Sequence, residues 1–99
     1  MKNFRTYNLA VEFYKKSKNL VLPRHLKEQF SRASSSIALN LAEGSGKSSR
    51  LDTRRFYQIA FGSLRECQSI IDLVESKDSE INKCLDTLAA HLYKLIKAT

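Results

Sequence analysis

A chain of 99 residues is one domain by length, and 42% hydrophobic against 27% charged residues, with one proline and three glycines, excludes a disordered protein and favours long helices over many turns. No signal-peptide core follows Met1 and no run approaches the ~18 apolar residues of a membrane span, so a single cytoplasmic domain over 1–99 is expected. The net charge of +7 is regional: residues 1–55 hold twelve Lys/Arg against four Asp/Glu, residues 56–99 five against six, a footprint suited to a phosphate-rich partner or a solubilising face.

The first helix is expected over residues 6–20. At about 100° per residue Tyr7, Ala10, Val11, Tyr14 and Val21 share one side, and Leu9, Phe13 and Leu20 form a second ridge, so two partners are anticipated. Lys15, Lys16 and Lys18 complement the negative end of its dipole. Pro23 breaks the chain and suits the first turn of a second helix. Its stripe is Leu26, Phe30, Ala33, Ile37 and Leu41, with a stop expected at Glu43-Gly44, where glycine can close a helix in the left-handed conformation. A third helix over 51–76 starts from a Ser49-x-x-Asp52 capping pattern. It carries one stripe of Phe56, Ala60, Ser63, Cys67, Ile70 and Val74 and another of Tyr57, Phe61, Leu64 and Ile71. That arc is wider than a peripheral helix of a small monomer needs. Leu9 and Phe13 together with Tyr57, Phe61 and Leu64 are therefore expected to meet identical copies of the chain. The last helix, over 79–97, is capped by Asp78 or Ser79 and buries Ile81, Leu85, Leu88, Leu92 and Leu95. Short loops between long helices imply an all-α, antiparallel up-down-up-down four-helix bundle.

Gly44-Ser45-Gly46-Lys47-Ser48-Ser49 resembles a nucleotide-binding loop, but Leu41 stands where that motif needs its first glycine, and a helix precedes it where a strand is required. What remains is a glycine-rich loop feeding a helix start beside Lys47, Arg50, Arg54 and Arg55, a candidate phosphate contact. Lys15, Lys16, Lys18, Arg24 and Lys27 complete the set expected to bind RNA or DNA. His25 and His91 lack metal-ligand spacing, Cys67 and Cys84 read as reduced thiols on apolar faces, and no serine has recognisable triad partners. No metal, cofactor or enzymatic activity is expected. Gly62, mid-helix, costs roughly 1 kcal/mol relative to alanine, so a close neighbouring helix is expected there. Asn40 and Glu66, polar at the borders of apolar faces, are either exposed or placed to bind a helix terminus across the bundle. The aromatic residues fall at core spacings.

The segment Gln29-Phe30-Ser31-Arg32-Ala33-Ser34-Ser35-Ser36-Ile37-Ala38-Leu39-Asn40-Leu41-Ala42-Glu43-Gly44, followed by Phe56-Tyr57-Gln58-Ile59-Ala60-Phe61-Gly62-Ser63-Leu64-Arg65-Glu66, resembles the bacterial proteins encoded in intervening sequences of 23S ribosomal RNA genes. The resemblance covers nearly the whole chain. It implies a four-helix bundle assembling as a ring-shaped homopentamer, with Arg32, Asn40, Glu43, Gly44, Gly62, Ser63 and Glu66 as structural motif residues. Relatives of this kind include the accessory variability determinant of diversity-generating retroelements, which binds nucleic acid and a reverse transcriptase. Two functions are thereby implied: nonspecific binding of RNA or DNA through a basic surface, or a scaffold for a protein such as a reverse transcriptase. Phe30 and Ser34 depart from the residues common in relatives.

Overall fold

The computed structural model describes residues 4–99; the first three residues of the expected domain lie outside that range. Four helices and no strand occur among the described residues: α1 (Arg5–Ser17), α2 (Arg24–Ser45), α3 (Arg50–Leu73) and α4 (Ser79–Ala98). Each packs on its sequence neighbours and α1 closes the square against α4, while the diagonal pairs stay more than 8 Å apart between Cα atoms. Contacts along three of the four neighbouring pairs run in opposite order; at α3–α4, Arg50 meets Thr99 and Asn82 meets Ser76. Gln29 meets Glu66 and Ser36 meets Ser63 between α2 and α3; Arg5 meets His91 and Lys16 meets Glu80 between α1 and α4. The helices therefore alternate in direction, in a body 40 × 22 × 21 Å.

Helix starts follow their caps. The Ser49 hydroxyl accepts the Asp52 amide at 3.1 Å, and the Asp78 carboxylate accepts the Ile81 amide at 3.0 Å, each satisfying an amide that the first turn leaves unpaired. Pro23 is the cap residue of α2, extended at ψ 144°, with its carbonyl accepting from the Leu26 and Lys27 amides. Two ends fall earlier than periodicity implies. The first helix stops at Ser17, and Leu20-Val21-Leu22 forms a connection that leaves Val21 93% exposed, no longer on a helix face. The third stops at Leu73 because Glu75 adopts φ 50° and the Ser76 amide turns back to the Ile71 carbonyl at 3.1 Å. That left-handed closure is usually a glycine's.

Gly44 is not the stop of α2. The helix runs on to Ser45, and Gly44 is buried within it; a Cβ there would lie 2.9 Å from Tyr57 Cε1 and 3.0 Å from Phe56 Cβ. Glycine is needed because α3 approaches the backbone closely. Gly62 shows the reverse, since among the described residues nothing lies within 4 Å of a Cβ at that position and no neighbouring helix fills it.

The core draws on all four helices: Ala10 and Phe13; Phe30, Ala33, Ile37 and Leu41; Tyr57, Ala60, Leu64, Cys67, Ile70 and Ile71; Ile81, Leu85, Leu88 and Leu92. This corrects the assignment of Phe13, Tyr57 and Leu64 to an oligomer face. Phe13 and Leu64 are fully buried and Tyr57 is 6% exposed within a single chain, so they have no area to offer another copy; Leu9 and Phe61 are half-buried against the same core. The wide arc of α3 has an internal explanation, because α3 packs on both α2 and α4. Burial pushes the Cys67 thiol up to about 12, which keeps it protonated and inert at neutral pH, and also raises Cys84, half-buried between α1 and α4.

Candidate nucleic-acid interface

The nine cations expected on one surface occupy both ends of the bundle. Lys15, Lys16, Lys18, Arg24 and Lys27 stand where α1 ends and α2 begins; Lys47, Arg50, Arg54 and Arg55 stand where α2 ends and α3 begins. The 22 residues of α2 separate the groups by about 33 Å, some three Debye lengths at 0.1 M salt. No single phosphate can meet both groups.

Cutting each helix at its midpoint sorts the charge differently from the sequence. Among the described residues, the half containing the start of α3 holds Arg5, Lys47, Arg50, Arg54, Arg55, Lys94 and Lys97 against Glu43 and Asp52, a net of +5. The other half holds nine Lys/Arg against eight Asp/Glu, a net of +1. Lys16 illustrates the second half: its ammonium lies 2.9 Å from Glu12 and 3.4 Å from Glu80, and hydrogen bonds to those carboxylates hold its pKa above the ordinary lysine value. Arg5, Lys94 and Lys97 went unnoticed in the sequence because Arg5 is far from the loop, and the two lysines belong to a segment whose own net charge is negative. Antiparallel packing brings all three to the same end.

Several of these cations have intramolecular roles. Lys47 pairs with Glu43 at 3.0 Å and lies 5.0 Å from the Phe56 ring centroid. Arg50 donates through Nε and Nη2 to the Thr99 carbonyl at 3.2 and 2.9 Å, and Lys97 in the last turn of α4 complements the same negative helix end. Arg5 Nε donates to His91 Nε2 at 3.4 Å; the other ring nitrogen lies 2.9 Å from the Thr87 carbonyl, so it carries the proton. Among the described residues Arg54, Arg55 and Lys94 have neither an ion pair nor a hydrogen bond, and all three are exposed. The start of α3 is a weaker anion site than its sequence implies. Ser49 occupies the Asp52 amide, and the Asp52 carboxylate already sits in the positive first turn. Attraction for phosphate therefore rests on side chains.

Four of the motif residues that the resemblance implies, Asn40, Gly44, Ser63 and Glu66, lie along a seam between α2 and α3. Gln29 Nε2 donates to Glu66 at 3.0 Å, the Ser63 hydroxyl donates to Ser36 Oγ at 2.8 Å, and Asn40 Nδ2 donates to the Ser36 carbonyl and hydroxyl at 2.9 Å each. Asn40 thus bonds within its own helix and Glu66 to the side of a neighbouring one; neither reaches a helix terminus. Arg32 and Glu43 are exposed, and Gly44 seats the helix contact. Leu39 on α2 is 67% exposed and Ile59 on α3 is 46% exposed, at about the same height on the solvent side of this seam as Gly62.

None of the helices among the described residues is long and apolar enough to cross a membrane, and no group of three or more metal-ligating side chains occurs among them. No curated protein matches the chain. The family model for the 23S rRNA-intervening sequence protein matches residues 4–98. With four helices and that match over almost its full length, the chain belongs to the 23S rRNA-intervening sequence protein family.

Proposed function

We propose that this protein is a non-enzymatic, homo-oligomeric helical bundle that binds RNA or DNA without sequence preference through its cationic end. The observation that carries the reading is the sorting of charge, seven cations against two acids in one half of a 40 Å body, with Arg54, Arg55 and Lys94 free of intramolecular partners among the described residues. Polyanion binding driven by side-chain cations releases counterions, so affinity falls steeply with salt. Filter-binding titrations with RNA and with DNA at low and near-physiological salt test this. Tight binding that weakens with salt on both is expected; the absence of binding to either would leave the protein-scaffold reading in its place.

Assembly is proposed on the solvent side of the α2–α3 seam, through Leu39, Ile59 and Gly62, in place of the buried Phe13, Tyr57 and Leu64. The glycine costs α3 roughly 1 kcal/mol relative to alanine, and the described residues of the single chain offer nothing near it in return. A second copy approaching that backbone would supply the missing contact, and a closed ring such as a pentamer would repeat it. Gly62→Leu is expected to lower the mass measured by light scattering while leaving helical content intact. An unchanged mass, or a wild-type protein that is already monomeric, would rule out this face.

A further inference from the structure

Eight of the nine aromatic side chains are buried or half-buried, and one, Tyr93 at 56% exposure, is open to solvent. The core does not require it, because α4 turns Ile81, Leu85, Leu88 and Leu92 inward and Tyr93 lies about 100° beyond the last of these. Its position is specific. It follows Asp86 by seven residues, and Asp86 lines the groove between α3 and α4, so Tyr93 stands on the same edge of α4, two turns nearer the cationic end. The antiparallel register set by Arg50 on Thr99 brings the ring level with the second turn of α3, which carries Arg54. Lys94 adjoins it and Lys97 Nζ lies 5.4 Å from its centroid.

An intrahelical lysine–tyrosine pair is also the bland solution for shielding a ring, and Tyr14 shows it at the opposite end, half-buried with Lys18 Nζ at 4.9 Å. Tyr93 differs in keeping most of its surface open while surrounded by excess positive charge. Aromatic faces among cations are what unpaired bases stack on, and base-paired duplexes offer no free base face except at their ends. We infer that Tyr93 is a stacking platform for an unpaired base of single-stranded RNA or DNA whose phosphates lie along Arg54, Lys94 and Lys97. This rests on the nucleic-acid reading above and adds to it a preference for single strands.

The test uses fluorescence anisotropy of the full chain with a short labelled oligothymidylate and with a mixed-sequence duplex of equal length, comparing wild type, Tyr93→Ala, Tyr93→Phe and Arg54→Glu. Tyr93→Ala is expected to lose roughly fivefold to 100-fold in affinity for the single strand with little change on the duplex, and Tyr93→Phe to retain wild-type affinity. Arg54→Glu is expected to weaken both. Tyr93→Ala binding the single strand as wild type does, or losing equally on both probes, would overturn the platform while a loss in Arg54→Glu still upheld the phosphate surface. No binding of either probe by wild type would end both readings.

Discussion

Phe13→Ala is expected to lower the unfolding free energy by about 3–5 kcal/mol, the usual cost of emptying a fully buried phenylalanine site. Phe13 is 0% exposed and meets Phe30 edge-on at 6.1 Å between centroids and 63° between planes, an arrangement worth about 0.5–1.5 kcal/mol beyond area alone. Small domains are stable by only about 5–15 kcal/mol, so the variant should sit near the edge of folding. Urea denaturation followed by circular dichroism measures the loss. Leu9→Ala, half-buried one turn away, should cost clearly less. The comparison separates core from interface: a residue between copies would lose stability in a way that depends on protein concentration, whereas the difference between Phe13→Ala and wild type should not. A cost below about 1 kcal/mol accompanied by loss of assembly would restore the interface assignment.

Reversing Arg54, Arg55 and Lys94 to glutamate is expected to weaken nucleic-acid binding on the order of 100-fold near physiological salt and to reduce the salt slope by roughly one per phosphate contact removed. These three are chosen because they have no ion pair or hydrogen bond among the described residues, whereas Lys47 pairs with Glu43 and Arg50 with the Thr99 carbonyl. Reversing those would disturb the fold as well as the surface. The matching variant at the other end, Lys15, Lys18 and Lys27 to glutamate, removes the same formal charge from a half where acids nearly balance bases. It should change affinity far less, because at about 33 Å the screened field of that end contributes little to a phosphate held at this one. Equal losses from the two variants would mean that net charge, and not its placement, governs binding.

The helices were legible because their signals are local. Ser49 and Asp78 cap from the sequence alone, and the repeat Phe30, Ala33, Ile37, Leu41 survives as one buried stripe. Ends without a local marker were not: a glutamate at φ 50° ends α3, and Leu20-Val21-Leu22 looks like continuing helix until Val21 is seen in solvent. Glycine was ambiguous in both directions, since Gly44 fits a helix stop or a close helix contact and only the position of Tyr57 decides. The cationic residues were largely identifiable, but their grouping was not. A bundle that alternates direction folds residues 94 and 97 back onto residues 50 to 55 and sends residues 15 to 27 to the far end. Chain halves therefore do not correspond to halves of the molecule.

Mapping which lysines touch the nucleic acid tests the central claim most directly. Crosslinking the protein to a short oligonucleotide, followed by mass spectrometry of the adducts, should find them at Lys47, Lys94 and Lys97. Adducts equally abundant at Lys15, Lys18, Lys27, Lys77 and Lys83, in the nearly neutral half, would contradict a cationic end that binds phosphate.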